Sequence, residues 1–302
     1  MSNTLTGASP IPNRNAQTPD ESALPVFDQE MVIQPQRGWI AVNVSEMWRY
    51  RELLFFLIWR DVKVRYKQTV LGVAWAILQP LFNMIVFTVI FGKVAGLEDH
   101  LPAHLKGKYP IFVYVGMLVW TFFSTGVTTG GQSLVNSQHL LTKIYFPRLF
   151  VPLATIGGGM VDLAISFGLF LVLMLIYQVP PGWGLLALPV LLLLTLMATA
   201  GVAFVMSALT VSYRDFRFIV PFMVQAWMYL SATFYDVADV GRWQLPASIN
   251  PMFGLIGAYR SCLLGMEWHW LQLGISTTVT LVMFFFGVFY FRKVERKFAD
   301  IA

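Results

Sequence analysis

The chain has 302 residues, of which 57% are hydrophobic and only 12% are charged, and its mean hydropathy is +0.63. Soluble domains carry about 25% charged residues, so this composition excludes an ordinary soluble protein and indicates an integral membrane protein. The net charge of +5 does not indicate a nucleic-acid-binding protein, because the cations form short clusters between apolar stretches and no continuous basic face.

The N-terminal segment 1–40 is rich in Pro, Asn, Ser, Thr and Gln and lacks the apolar stretch of a cleaved signal peptide. We expect a disordered cytoplasmic tail here. An amphipathic interfacial helix is predicted over 41–69, because "LLFFLIW" (53–59) is too short to cross a bilayer and has charged residues on both sides.

This helix carries a dense group of cations, namely Arg60, Lys63, Arg65 and Lys67. Three of them share one helical face, while Arg65 follows Asp61 by four residues, in the order that favours an ion pair. Two roles stay open for the group. It either anchors the helix on lipid phosphates, or it forms a cytoplasmic entrance that attracts an anionic substrate head or docks a partner.

Six stretches are long and apolar enough to cross a bilayer as helices, which requires about 20 residues. They are 70–92, 110–130, 150–177, 185–211, 218–235 and 271–291. The sequence therefore predicts an all-α membrane domain of six spans over 70–295, followed by a cytoplasmic tail over 296–302.

The distribution of Lys and Arg predicts the orientation. With a cytoplasmic N-terminus, sixteen of the 21 cations fall on the cytoplasmic side and five on the other side. Positive charge concentrates on the cytoplasmic side of membrane proteins, so both termini are expected there.

Asp162 is the one clear ionisable residue at membrane depth, in the third predicted span. A charged Asp at a helix centre costs about 2.5–3.5 kcal/mol. We favour a structural acid that bonds to a neighbouring helix, close to the glycines 157–159, over a residue of the substrate path.

Aromatic residues make up 15% of the chain and suit the wall of a conduit, because their faces pack against sugar C–H groups. The same residues also suit lipid contacts or a core. Gly126 and Gly130 are expected to allow close helix packing. The candidate conduit residues are Tyr114, Trp120, Thr121, Thr125, Trp227, Tyr229, Phe234 and Tyr235.

The outer segment 236–270 is apolar but broken by Pro and Gly, which predicts short re-entrant helices between the fifth and sixth spans. In the first outer loop, His100 and His104 have the spacing of a metal pair on a helix, but Pro102 lies between them and argues against a site.

Several stretches resemble the ABC-2 type membrane subunits that export bacterial polysaccharides, the O-antigen, capsule and teichoic acid permeases. They are "RELLFFLIWRDVKVRYKQTVLGVAWAILQPL" (51–81), "FPRLFVPLATIGGGMVDLAISF" (146–167), "VSYRDFRFIVPFMVQAWMYLSATFY" (211–235) and "NPMFGLIGAYR" (250–260). The similarity runs from about residue 45 to 295. The segment "YDVADVGRWQLPASI" (235–249) departs from the family at its start.

The resemblance implies a half-transporter in the bacterial inner membrane, in which two copies form the conduit and two cytoplasmic ATPase subunits drive it. The segment 131–148 is predicted to form a short helix. The resemblance implies that this segment couples to the ATPase, through Asn136, Ser137, Gln138, His139 and Lys143. ATP and Mg²⁺ would bind that partner, since this chain has no phosphate-binding loop of the form G-x-x-x-x-G-K-[ST] and therefore no cofactor of its own.

Three functions are thus compared. The first is export of a lipid-linked polysaccharide, most simply O-antigen. The second is export of another amphiphile, such as a capsule polymer, a teichoic acid or a drug, by the same machinery. The third is a membrane-embedded glycan transferase or ligase, which is disfavoured because no acidic dyad, Ser-His-Asp grouping or metal motif is found.

Overall fold

We describe a computed structural model of the chain, which covers residues 44–67, 72–138, 146–180 and 183–295. Within these ranges all regular structure is helical and no strand occurs, so the expected all-α fold is confirmed. The tails predicted over 1–40 and 296–302 lie outside the described residues, as do His139 and Lys143.

The longer α-helices are numbered in chain order. They are α1 (Val44–Arg49), α2 (Arg51–Lys67), α3 (Gly72–Phe87), α4 (Tyr109–Asn136), α5 (Phe150–Tyr177), α6 (Leu188–Ser212), α7 (Phe216–Tyr229), α8 (Pro251–Leu264) and α9 (Trp270–Glu295). Helix α3 continues as a π-helical segment over Thr88–Val94, and a 3₁₀ turn, Trp183–Ala187, leads into α6.

In the described part of the chain, five helical segments are long and apolar enough to cross a membrane. They are Ala76–Val94, Tyr109–Asn136, Phe150–Ile176, Gly184–Ser212 and Trp270–Glu295. They match five of the six predicted spans. The stretch 218–235 instead gives α7, which ends at Tyr229 after 14 residues and is shorter than the about 20 residues that a span requires. The six-span count is therefore not confirmed.

Helix α4 is the central helix of the bundle and is buried along most of its length. Its two predicted packing glycines lie where neighbouring helices come closest. A Cβ on Gly126 would meet the side chain of Thr199 on α6, and one on Gly130 would lie 3.0 Å from Cβ of Ala203. The sequence's G-x-x-x-G motif therefore serves helix packing, as expected.

Helices α6 and α9 also meet at glycines. A Cβ on Gly201 would lie 2.7 Å from Cα of Phe284, and a Cβ on Gly287 would meet the carbonyl oxygen of Gly201. No other residue type allows the two backbones to approach so closely.

The segment between α7 and α9 contains short helices, as predicted. A 3₁₀ segment, Val237–Trp243, precedes a helical turn, Gln244–Ala247, and then α8. Helix α8 begins where the Asn250 side chain accepts a hydrogen bond from the Met252 amide (3.0 Å) and Pro251 occupies the first turn. It ends at Gly265, whose φ of 69° suits glycine.

Candidate functional site

Helix α2 packs against α5 through the glycines 157–159. A Cβ on Gly157 would lie 2.7 Å from Cδ1 of Ile58, and one on Gly158 would lie 3.7 Å from Cβ of Asp61. A larger residue at these glycines would push α2 away. Leu57 of α2 is also buried in this contact, whereas Phe55 and Trp59 of the same helix are exposed.

Asp162 of α5 is bonded to α2 by both carboxylate oxygens. Arg65 donates to Oδ2 and forms an ion pair, while the Tyr66 hydroxyl donates to Oδ1. Burial, followed by this hydrogen bond to the carboxylate, raises the pKa of Tyr66 to about 12, so its hydroxyl stays protonated and remains a donor. Asp162 is therefore the structural acid that the sequence indicated, and its partner helix is α2.

The contacts between α2 and α5 follow one another in the same chain direction. Ile58 faces Gly157, Asp61 faces Gly158, and Arg65 bonds to Asp162. Position along α2 therefore increases together with position along α5, so the two helices run in the same direction where they touch. The location of α2 in the membrane interface stays a prediction.

The four predicted entrance cations do not form one group. Arg65 faces α5, whereas Lys63 and Lys67 are exposed and have no ion-pair partner in the described ranges. Arg60 pairs with the adjacent Asp61 at 2.7 Å. The expected pair of Asp61 with Arg65 is therefore wrong, because Asp162 competes successfully for Arg65 and leaves Asp61 to Arg60.

The predicted coupling residues begin at the end of α4. The expected separate helix over 131–148 is wrong at its start, because α4 continues to Asn136. The Ser137 amide closes the helix by donating to the carbonyl oxygens of Ser133 (3.0 Å) and Leu134 (3.3 Å). Asn136 and Gln138 are exposed.

The start of α7, just after the turn from α6, is joined to this end of α4. The Gln132 side chain donates to the carbonyl oxygen of Arg217 at 3.2 Å, and the Arg217 guanidinium donates to Oδ1 of Asn136 at 3.4 Å. Among the described residues, Asp215 of this turn has no ion-pair partner. The exposed residues of the turn therefore adjoin those of α4.

Three of the predicted conduit residues are buried inside the chain. The Tyr114 hydroxyl donates to the carbonyl oxygen of Ser166 on α5 at 2.8 Å, and Trp120 packs on Phe123 with ring centroids 5.4 Å apart. Phe234 stacks on Phe91 at 4.5 Å. These side chains therefore lie inside the chain and not at its surface.

The other conduit candidates are more accessible. Tyr229 is 49% exposed at the end of α7, and Thr121, Thr125, Trp227 and Tyr235 are half-buried. Trp227 meets Phe123 edge to face at 5.3 Å. Of the predicted set, Tyr229 is therefore the side chain best placed to contact a molecule outside this chain.

Arg260 of α8 is fully buried and donates only to backbone carbonyl oxygens. Nη1 bonds to Ala232 and Tyr235, both at 2.7 Å, and Nη2 bonds to Thr233 at 2.6 Å. Its guanidinium also lies over the Phe112 ring, 3.6 Å from the centroid. The cation is thereby satisfied without a carboxylate.

These contacts hold the irregular segment that follows α7. Ala232 has a left-handed φ of 51°, so its neighbours cannot satisfy one another as in a helix. The Tyr109 hydroxyl donates to the carbonyl of Phe234 (2.6 Å), and the Asn250 side chain donates to that of Leu230 (2.9 Å). Side chains of α4 and of the start of α8 thus replace the helical hydrogen bonds, because buried backbone groups need partners.

Sequence reasoning treated Arg260 only as one of five outer cations. Its role had one available signal, an Arg inside an otherwise apolar fourteen-residue helix. A buried Arg without an acidic neighbour in sequence must bond to carbonyl groups or to a distant acid.

The first outer loop does not form a metal site. His100 Nδ1 lies 3.3 Å from Asp239 Oδ1, whereas His104 Nε2 lies 3.2 Å from the carbonyl oxygen of Leu264. The two histidines belong to separate 3₁₀ turns. The described residues contain no group of three metal-ligating side chains.

Comparison with known proteins gives a consistent family. The profile of the family described as ABC-2 type transporter matches residues 52–264. The chain is 30% identical over 221 residues to the O-antigen export system permease protein RfbA of Myxococcus xanthus. This match covers 72% of this chain and 82% of that protein.

Two further relatives agree. RfbA of Klebsiella pneumoniae is 23% identical over 257 residues, or 83% of this chain and 95% of that protein. The polysialic acid transport protein KpsM of Escherichia coli is 20% identical over 246 residues, or 79% of this chain and 92% of that protein.

Proposed function

Because this chain belongs to the ABC-2 type transporter family, we propose that it is the membrane permease subunit of a bacterial exporter of lipid-linked polysaccharide. O-antigen is the favoured substrate, since relatives that match most of the chain are named as O-antigen export permeases. ATP hydrolysis on a separate subunit supplies the energy, and this chain performs no catalysis itself.

The membrane arrangement follows from the charge distribution. Sixteen of 21 cations lie on the side of both termini when the chain crosses an even number of times, and that side is cytoplasmic by the positive-inside rule. The five long helices give an odd number. We propose that α7 and the segment held by Arg260 make the additional crossing, in the bacterial inner membrane.

The ATPase partner docks at the cytoplasmic ends of α4 and α7. The observation that supports this surface is the bond between Arg217 and Asn136, which joins the exposed first turn of α7 to the exposed end of α4. Asn136, Ser137 and Gln138 are the described coupling residues, and His139 and Lys143 continue the segment. ATP and Mg²⁺ bind on the partner.

The conduit forms between two copies of this chain, along α7. Val220, Val224 and Met228 bury one face of α7 in the bundle, while Phe222 and Tyr229 are exposed on the other. An aromatic face with a hydroxyl tip lets a glycan slide past without tight binding. The buried Trp120 and Phe234 support this wall from behind, and Thr121, Thr125, Trp227 and Tyr235 line its edge. Tyr114 instead joins α4 to α5.

The entrance lies at α2. Lys63 and Lys67 are exposed and Arg60 is half-exposed, and together they attract the anionic head of the lipid-linked substrate. Arg65 holds the helix on α5 through Asp162.

A purification with its genetically linked partners tests the function. The chain, coexpressed with the proteins encoded beside it, should copurify with an ATPase whose turnover rises with a lipid-linked glycan in proteoliposomes. If only a drug or a teichoic acid raised the ATPase turnover, the exported substrate would be that amphiphile and not a lipid-linked polysaccharide. Glycan transfer without ATP would indicate a ligase and overturn it.

The docking surface is tested separately. Arg217→Ala should lower ATPase copurification, whereas Arg242→Ala, on the exposed outer 3₁₀ segment, should not. Equal retention of the ATPase by both variants would contradict this docking site and leave the exporter assignment intact.

A further inference from the structure

An apolar cleft lies between α5 and α6, with α4 as its floor. Its volume is about 210 Å³. Its walls come from Met160–Phe167 of α5 and Leu188–Thr195 of α6, and each wall is about 10 Å long at 1.5 Å per residue.

The cleft opens on the side of the bundle that faces lipid. Met160 is 37% exposed and Ala164, one turn further along α5, is also exposed. Both residues belong to a helix that is long and apolar enough to cross a membrane, so we place the opening in the hydrocarbon core of the bilayer. Whatever enters the cleft comes from that phase.

The two hydroxyl groups in the cleft already have partners. Thr195 Oγ1 donates to the carbonyl oxygen of Leu191 at 2.8 Å and lies 3.2 Å from the Tyr259 hydroxyl, with which it is also hydrogen-bonded. All other residues that line the cleft are apolar. The cleft therefore has no polar group that requires a ligand, and its chemistry suits a hydrocarbon chain.

A cation lies at one end of this arrangement. Lys108 immediately precedes α4, and its Nζ donates to the carbonyl oxygen of Gln178, at the end of α5, at 3.3 Å. Val119, on the cleft floor, is eleven residues further along, or about 16 Å at 1.5 Å per residue. One leaflet of hydrocarbon is about 15 Å thick, half of the full core.

We propose that the cleft binds the end of one acyl chain of a bilayer phospholipid, whose phosphate lies at Lys108. The distance from Lys108 to the cleft matches one leaflet, and an ammonium group has three donors, so two remain for a phosphate. An empty cleft would deprive its lining of dispersion contacts. The assignment of this lipid to the outer leaflet rests on the orientation proposed above. The binding site itself does not depend on that orientation.

Photo-crosslinking in nanodiscs tests this site. The full chain is placed in phosphatidylethanolamine and phosphatidylglycerol, with a trace of phosphatidylglycerol that carries a diazirine at the end of one acyl chain. After irradiation and proteolysis, mass spectrometry should find the label concentrated in the peptides of Met160–Phe167 and Leu188–Thr195.

Three variants make the test specific. Ala164→Phe fills the mouth of the cleft and should lower this labelling several-fold. Val282→Phe adds a ring at a 63% exposed position of α9, a helix that does not line the cleft, and should leave the labelling unchanged. Lys108→Ala should also lower it. Size-exclusion profiles confirm that each variant is folded.

Three outcomes would overturn the proposal. One is label spread over α5 in proportion to exposure, and another is equal labelling of wild type and Ala164→Phe. The third is loss of labelling when a polyprenyl phosphate is added at the same concentration as the labelled phosphatidylglycerol, which would show that the cleft binds that lipid instead. None of these measurements uses transport, so their failure is distinct from failure of the proposed function.

Discussion

The carboxylate of Asp162 on α5 accepts a hydrogen bond from the guanidinium of Arg65 on α2, although 97 residues separate them in the chain. Helix α5 begins just after the segment predicted to couple to the ATPase. A motion of that segment would therefore be passed through α5 to α2, because the ion pair and the glycines 157–159 join the two helices.

Asp162→Asn should destabilise the protein by about 1–2 kcal/mol. This lies between the values for exposed ion pairs and buried ones, because both side chains are about one-third exposed, at 34% and 33%. Thermal unfolding in detergent measures the loss. The exchange Arg65→Asp with Asp162→Arg should recover part of it.

Arg60→Met is the matched control for this ion pair. Its partner Asp61 is the adjacent residue, so the pair joins no second helix, and we expect a change below about 1 kcal/mol. An effect of Arg60→Met as large as that of Asp162→Asn would show that α2 is not held by Asp162.

Tyr66→Phe should reduce stability by an amount that does not vary between about pH 6 and 9. The pKa of Tyr66 is raised to about 12, so the fold favours the neutral hydroxyl. Its contribution is complete below the ordinary tyrosine pKa of about 10 and is lost only as pH rises through about 12. Unfolding curves of both proteins across this range test the point, and a difference that changes near pH 7 would contradict it.

Arg260→Met should prevent stable folding. It removes the donor of four carbonyl groups, those of Phe112, Ala232, Thr233 and Tyr235, and each buried group left unpaired costs about 1–3 kcal/mol. Arg260→Lys should be intermediate, because one ammonium group cannot reach all of them in the same geometry. The yield of monodisperse protein and the thermal midpoint measure both effects.

The control for Arg260 is Arg242→Met. Arg242 is exposed, and its guanidinium lies 5.9 Å from the Trp243 ring, a contact worth about 1 kcal/mol or less. If Arg260→Met folded as well as Arg242→Met, the carbonyl contacts would not be what holds the segment after α7.

The long apolar stretches predicted the spans well. The stretch 150–177 coincides with α5 at both ends, because a bilayer requires an unbroken apolar helix and leaves few alternatives. For 218–235 the same reasoning predicted one continuous helix, whereas α7 ends at Tyr229. Hydropathy depends on composition and not on backbone conformation. The last six residues of that stretch have the same hydropathy in a helix as in the irregular segment that Arg260 holds.

The partners of Asp162 and Arg260 were beyond sequence reasoning for different physical reasons. Asp162 had several candidate cations, and only the packing of α2 on Gly157 selects Arg65. Arg260 bonds to backbone carbonyls, the most distant 148 residues away. Every residue has a carbonyl, so such a bond leaves no pattern of residue types.

Tyr229→Ala should lower polysaccharide export several-fold with little effect on stability, because the side chain is 49% exposed and the conduit is proposed to run along α7. Surface display of the polysaccharide and ATP turnover of the complex measure the effect. Leu175→Ala, at an 80% exposed site of α5, is the control. Equal export by both variants would place the conduit elsewhere.

Gly201→Ala should destabilise the protein strongly, because the new methyl group would lie 2.7 Å from Cα of Phe284 on α9, and backbone atoms cannot move aside as a flexible side chain does. Gly274→Ala, within α9, meets nothing within 4 Å and should raise stability by up to about 1 kcal/mol through helix propensity alone. Thermal midpoints in detergent compare the two. Opposite signs support glycine contact as the reason that α6 and α9 pack so closely, whereas a rise in both would mean that the helices separate at little cost.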